Sequence, residues 1–306
     1  MQNKNLERIT FIQISTEWLL FKKPRVKEST YLNYRFVIEK RLKEQFGNAN
    51  LKFFIEYDLN QYIENLRKGL AHKTVRDIIS VLKAILRYAE RKYDMDFKLD
   101  LVSLPTVYKS QVEVFPERAR RKLERHCFRS DSIKDLGILI SLYTGLRIGE
   151  ICALRWEDIN FEDKVISVSH TLQRVYQPQN YNSKIILTTP KTQSSIRKIP
   201  LAKLLYDKLK PIAKKYPKKA FILTGKEEKW VEPMGYRYTY KITLEQCKIP
   251  YKNYHCLRHT FATRCVRIGM DVKSLSEILG HSNVSVTLNI YVHSCYEIKK
   301  KYIDKL

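Results

Sequence analysis

Residues 255–263 read HCLRHTFAT. His255 and Arg258 are three apart, so on a helix they share one face, while Leu257, Phe261 and Cys265 recur at the spacing of a second, buried face. Such a segment presents an imidazole and a guanidinium side by side from a packed helix. Two further stretches carry related chemistry. TGLRIGE at 144–150 holds Arg147 and Glu150, and LGHSNVSVTLNIY at 279–291 holds His281 and Tyr291. Lys191, in TTPKTQSSIRKIPL, completes a set of two guanidinium forks, one lysine, two imidazoles and a phenol. Attack on a phosphodiester without metal needs such groups: cations on the non-bridging oxygens, an in-line nucleophile, and a proton for the leaving oxygen. Arginine suits the first task because its planar fork binds phosphate bidentately and keeps its charge near neutral pH. Arg147 and Arg258 are the candidates, and Glu150, three residues after Arg147, can aim it.

Each residue also has a plainer reading. Arg147 with Glu150 fits an ordinary surface ion pair, which stabilises little. Gly145, Gly149 and the apolar run behind them turn the balance toward a helix whose first turn faces an anion. His255 and His259 are four apart, a zinc-ligand spacing, but the glutamate of HExxH is missing and Arg258 would stand beside the metal. His259 therefore reads as a structural histidine, and no metal or other cofactor is expected. His281 follows Gly280, the expected C-cap of a helix carrying Leu275, Ile278 and Leu279, and could simply cap that turn. Tyr291 is one of twenty tyrosines. The β-branched Val284, Val286, Thr287, Ile290 and Val292 around it argue against a helix. Lys191, near an expected hairpin tip at Pro190–Ser195, is by composition one solvated lysine among many, with Lys198 and Lys184 in the flanking strands.

Composition narrows the partner. The chain of 306 residues has a formal charge of +25 and a pI near 9.7. An enzyme of small molecules seldom carries such an excess, because it costs stability by self-repulsion and recruits polyanions. With 44% hydrophobic residues the chain can bury ordinary cores. Its length suits two domains. The six cysteines form no CxxC pair and read as reduced core residues. MQNKNLERITFIQIS lacks the apolar run of a signal peptide or membrane span, so a cytoplasmic protein without membrane association is expected.

Periodicity divides the chain into a helical domain at 1–95, a linker at 96–113 and a second domain at 114–306 with a C-terminal tail. The first domain reads as four helices: around Phe11–Phe21, over STYLNYRFVIEKRLKEQFG, from a cap at Asp58 to Gly69, and from Lys73 to Tyr93. Lys22, Lys23, Arg25, Lys27, Lys73 and Arg76 are available there for phosphates, although solvated charge explains each as well. The second domain starts a helix at Pro116, continues with an apolar helix from about Ile133 to Tyr143, and has one strand-rich stretch, VISVSHTLQRVY to SKIILTTPKTQSSIRKIPL. Helices return after Leu201. The fold class is mainly α, with a small antiparallel sheet inserted in the second domain.

The order Arg147, Lys191, His255-x-x-Arg258, His281, Tyr291, with the wording around it, resembles the tyrosine recombinase (phage integrase) family. TTPKTQSSIRKIPL and HCLRHTFAT are closest to integrases of conjugative transposons and prophages. The resemblance implies an N-terminal core-binding domain that closes with the catalytic domain around double-stranded DNA, and a short helix bearing Tyr291. It also implies that Tyr291 attacks the scissile phosphate to form a 3′-phosphotyrosyl bond. Lys191 would protonate the leaving 5′ oxygen, Arg147, Arg258 and His281 would stabilise charge, and His255 would accept and return a proton. Integration and excision of a mobile element by a homo-oligomer, a tetramer in the synapse, would follow. An excisionase or a DNA-bending protein is left open as an accessory partner. No separate arm-site domain is evident. Two rival readings are a type IB topoisomerase relaxing supercoils and a non-catalytic DNA-binding regulator.

Overall fold

The computed structural model describes residues 8–106, 112–177, 182–188, 196–291, 300 and 303–304. The chain divides into two compact units, one of residues 1–110 with 174–184 and one of 111–173 with 185–306.

In the first unit, α1 (Phe11–Lys22) starts at Thr10. The Thr10 hydroxyl accepts the Gln13 N–H at 3.4 Å and Gln13 Oε1 accepts the Thr10 N–H at 2.8 Å, so two otherwise orphaned helix donors are satisfied. Helix α2 (Glu28–Val37) passes through a π turn at Ile38–Leu42 into α3 (Lys43–Phe46). A single turn, α4 (Phe53–Glu56), precedes α5 (Leu59–Arg67), whose Asp58 cap accepts the Asn60 N–H at 2.9 Å. Helix α6 (His72–Tyr93) is the longest. These include the four expected helices, the second of them continued by the π turn. The stripe Val75, Ile78, Ile79, Leu82, Ile85, Leu86 and Ala89 is buried as its spacing requires. Phe97, Leu99 and Val102 are buried in the same core. The first part of the expected linker thus packs inside this unit, because it alternates small gaps with large apolar groups.

In the second unit, α7 (Glu117–Arg129) follows Pro116, and α8 (Ile133–Thr144) starts at a Ser132 cap. Leu136, Ile138, Leu139, Ile140 and Leu142 leave α8 no solvated face, which makes it the centre of the core. It ends at Gly145 in the left-handed conformation (φ 67°), and a Cβ there would stand 2.7 Å from the Phe261 ring. The short α9 (Ile148–Ala153) comes next. Strands β1 (Ile159–Asn160), β2 (Val165–Val168), β3 (Thr171–Gln177), β4 (Asn182–Thr188) and β5 (Arg197–Pro200) form two sheets, in orders β1-β2-β5 and β3-β4, and the stretch 174–184 of β3 and β4 is the part grouped with the first unit. Ile166 lies opposite Ile159 on one side and Ile199 on the other, all buried and antiparallel. The expected Pro190–Ser195 hairpin tip lies outside the described residues; β4 and β5, which precede and follow it, belong to different sheets.

Helices α10 (Lys203–Ala213), α11 (Pro233–Gln246), α12 (His255–Arg267), α13 (Val272–Leu279) and α14 (Val284–Tyr291) complete the unit. Gly280 (φ 66°) caps α13 as expected. Helix α14 forms against its propensity because Thr287 and Tyr291, four apart, are both buried and tied by side chains. Cys127, Cys152, Cys247, Cys256 and Cys265 are buried and in no disulfide. Among the described residues no helix is long and apolar enough to cross a membrane.

Candidate active site

Glu150 organises the site. It is 3% exposed, and its carboxylate accepts the backbone N–H of Arg147 at 2.8 Å and Arg147 Nη1 at 2.8 Å. The same carboxylate accepts Nη1 and Nη2 of Arg197 at 3.1 and 3.0 Å. Burial alone would raise its pKa, but Arg197 and then Arg147 outweigh burial and bring it to about 2. The first turn of α9 is therefore filled by the chain's own carboxylate, and at six residues the helix is not the anion site that the glycines suggested. Gly149 serves a close approach instead: a Cβ there would stand 2.6 Å from Leu172 O.

Two helix ends supply the rest of the lining. Arg258 is 1% exposed and donates from Nη1 to Gly145 O at 2.9 Å, and from Nη2 to Leu279 O at 2.7 Å. Arg147 Nη2 donates to Gly280 O at 3.2 Å, and Arg197 Nε to Ile278 O at 2.5 Å. The acceptors are the last carbonyls of α8 and α13, where the helix dipoles are negative. Burial, then Arg147, lowers the Arg258 pKa to about 9, still above neutral. Three guanidinium charges therefore face one carboxylate, and the remaining positive charge suits a phosphodiester.

His281 bridges this cradle to the helix carrying the tyrosine. Its Nε2 lies 2.8 Å from Arg258 Nη2, and its Nδ1 lies 2.8 Å from Thr287 Oγ1 on α14. A guanidinium has no acceptor, so Nε2 must be the bare nitrogen and the proton is assigned to Nδ1, which donates to Thr287. Burial first, then Arg258, Arg147 and Arg197, lowers the His281 pKa to about 3, which keeps this ring neutral.

Tyr291 ends α14 at 2% exposure, and its hydroxyl lies 2.7 Å from His259 Nδ1. Burial pushes its pKa up to about 12, against the opposing pull of Arg258 and Arg147. His259 was read as structural, but it meets the phenol. Its own pKa is lowered to about 4 by burial and by Arg258. His255 packs edge-on against His259, with ring centroids 4.5 Å apart at 88°. Desolvation, then His259 and Arg258, lowers the His255 pKa to about 4. Because the residue itself is exposed, that lowering counts for less than it does at His281.

The structure thus gathers Arg147, Glu150, His255, Arg258, His281 and Tyr291, and adds Arg197 and His259. Lys191 lies outside the described residues. Lys184 on β4 and Lys198 on β5 are exposed.

Of the expected phosphate contacts, Lys23, Lys27, Lys73 and Arg76 are exposed. Lys22 stands over Trp18, and Arg25 folds onto Phe21, its guanidinium 4.0 Å from the ring and its Nη1 2.6 Å from Phe21 O. Sequence reasoning missed a groove of about 640 Å³ walled by Trp18, Phe21 and Tyr88 with Lys83, Arg87 and Arg91. The signal was available, since those three cations recur every four residues along α6.

A cradle of arginines beside a buried tyrosine defines a protein built to act on phosphodiesters. The model of the phage integrase family matches residues 107–297, more than half of the chain, and that of the phage integrase N-terminal SAM-like domain matches 10–67. The chain is 26% identical over 333 residues to a tyrosine recombinase XerC-like protein of Caldanaerobacter subterraneus subsp. tengcongensis, covering 99% of this chain and 84% of that one. It is 28% identical over 307 residues to the transposase from transposon Tn916 of Enterococcus faecalis, covering 90% and 72%. A solved structure of the Tn1549 transposon integrase (residues 82–397) in complex with circular intermediate DNA matches with a TM-score of 0.71 at 25% identity, covering 97% and 99%. The chain belongs to the phage integrase family. It is a site-specific DNA recombinase of the mobile-element kind, which binds double-stranded DNA and cuts and rejoins its strands through a 3′-phosphotyrosyl intermediate. The topoisomerase and regulator readings are not favoured.

Proposed function

We propose that Tyr291 is the nucleophile of this recombinase, with Arg147 and Arg258 gripping the scissile phosphate and Glu150 aiming Arg147. His281 donates to the phosphate once Arg258 Nη2 turns from it to the anion and the ring shifts its proton from Nδ1 to Nε2, with the Thr287 hydroxyl then donating to Nδ1, and Lys191 protonates the leaving 5′ oxygen. A histidine of the HCLRH stretch takes the phenolic proton and returns it; the resemblance assigns that role to His255. The 5′ hydroxyl of a partner duplex then attacks the phosphotyrosine, so one ester replaces another and neither ATP nor a metal is required. The observation that carries this reading is the convergence on one site of Arg147, Arg258, His281 and Tyr291, from three separate stretches of sequence.

Two duplexes present four strands, and each chain carries one such tyrosine, so a complete exchange takes four protomers. An excisionase or a DNA-bending protein would bias its direction, and the reaction belongs in the cytoplasm, where bacterial DNA is accessible. Lys22, Lys23, Arg25, Lys27, Lys73 and Arg76 serve the duplex backbone. The test uses the full chain with a nicked duplex spanning the end of the genetic element that carries its gene. Wild type yields an SDS-resistant protein–DNA adduct without added metal, and Tyr291→Phe binds the duplex but yields none. Equal adduct from both proteins, or none from wild type on DNA it binds, would overturn the assignment.

A further inference from the structure

The nucleophile's phenol is held by a residue that the resemblance leaves without a role. His259 Nδ1 lies 2.7 Å from Tyr291 Oη, with ring centroids 5.6 Å apart at 53°. The contact is sheltered, since Tyr291 is 2% exposed. It is also rigidly mounted. On α12, Arg258 and Thr260 flank His259 at 1% and 3% exposure, and Thr260 Oγ1 accepts the Phe115 N–H at 3.0 Å. The edge-on ring of His255, one turn earlier, packs against the same imidazole.

We propose that His259, through Nδ1, is the catalytic residue that receives the phenolic proton of Tyr291 during strand cleavage and gives it back during religation. The inference rests on the reading of Tyr291 as nucleophile. In cleavage the Tyr291 O–H bond breaks and its proton moves to Nδ1. The Oη–P bond forms, the P–O5′ bond breaks, and the 5′ oxygen takes its proton from the acid on its own side, assigned to Lys191. In religation the incoming 5′ hydroxyl gives its proton to Lys191 as it attacks phosphorus, the P–O5′ bond forms, the P–Oη bond breaks, and the phenolate recovers the proton from His259. Each group ends as it began.

The resting site suits this transfer. His259 is held neutral by burial and by Arg258, so its lone pair is available, while the phenol keeps its proton. The negative charge of a bound phosphodiester makes protonation of the imidazole easier. The proton is therefore drawn off only when the scissile phosphate is in place.

The full chain and the nicked duplex serve again, now under single-turnover conditions across pH. His259→Asn keeps an acceptor near the position of Nδ1 but cannot take up a proton. Adduct formation by His259→Asn is expected to slow by about 10²-fold or more, with unchanged affinity for the duplex. The wild-type rate falls toward acid pH as His259 protonates, and this limb is missing in His259→Asn but kept in His255→Asn. Added imidazole is expected to restore part of the rate in His259→Gly. Cleavage by His259→Asn within about threefold of wild type, or an acid limb that survives in it, overturns the proposal while the nucleophile stands. If wild type itself gives no adduct on DNA it binds, the nucleophile and this base fall together.

Discussion

Arg258 and Tyr291 are both nearly sealed from solvent, yet they are held by different means. Arg258 is anchored by two backbone carbonyls and one imidazole, inside a cradle completed by Glu150, Arg147 and Arg197. Tyr291 sits on an eight-residue helix whose other face is open, with Val284, Val286 and Leu288 about two-fifths exposed. Thr287 meets His281, Tyr291 meets His259, and the Tyr291 ring packs with Ala262, Cys265, Leu275 and Leu279. The difference teaches that the phosphate-binding half is locked by polar bonds to the backbone, whereas the nucleophile is carried on a short helix held along one buried face. A protein that must pass a covalently bound strand between duplexes has use for such a division.

The comparison is broken most forcefully at Glu150. Glu150→Gln leaves Arg147 and Arg197 without their shared countercharge, and a loss of about 3–5 kcal/mol of unfolding free energy is expected. A loss within about 1 kcal/mol would mean that the cradle is not part of the core's stability. Acid sharpens the same point. His281 and His259 have folded pKa values of about 3 and 4, against 6.5 for the free group. The unfolded chain therefore binds more protons below pH 6.5, and their contribution to stability is lost as the pH falls from there. Glu150, at about 2 when folded against 4.5 when free, contributes stability that is present above pH 4.5 and lost below it, about 3 kcal/mol in all. Urea unfolding between pH 3 and 7.5 should show stability falling below pH 6.5 and more steeply below 4.5, and Glu150→Gln should remove only the added steepness.

Thr287→Val tests the side that carries the tyrosine. Removing the hydroxyl leaves His281 Nδ1–H without its partner and costs about 1 kcal/mol of stability. Strand cleavage is expected to fall much further than stability does, because the ring loses its orientation. Equal and small effects on both would show that the fastening is incidental. The smallest structural effect belongs to the exposed pair Lys73→Glu with Arg76→Glu. Unfolding free energy should stay within about 0.5 kcal/mol of wild type, while the slope of log affinity against log salt falls by about 1–2. A slope left unchanged would remove these two residues from the DNA interface.

Where periodicity is complete, the sequence was readable. The α6 stripe and the Gly280 cap lie where their spacing puts them, because each follows from local geometry. Helix α14 could not be read from propensity, since its β-branched residues favour strands and only burial of Thr287 and Tyr291 reverses that preference. Its helical state was reached through the family likeness alone. The catalytic set was legible as a set of types, but its wiring was not. Arg197 was passed over for its neighbours Lys191 and Lys198, although strand alternation places Arg197 with buried Ile199 and turns Lys198 outward. His259 was set aside as structural because a lone imidazole gives no local sign that a phenol thirty-two residues later will reach it.

The carbonyl oxygens of Gly145, Ile278, Leu279 and Gly280 are the part of the arginine cradle that no codon specifies. Sequence drift can replace a carboxylate, but it cannot delete a peptide oxygen, and no change of pH will protonate one. The vulnerability of this lining is concentrated in the two left-handed turns that aim it, so a single methyl group added at Gly145 or Gly280 threatens what substitution of the surrounding side chains would spare.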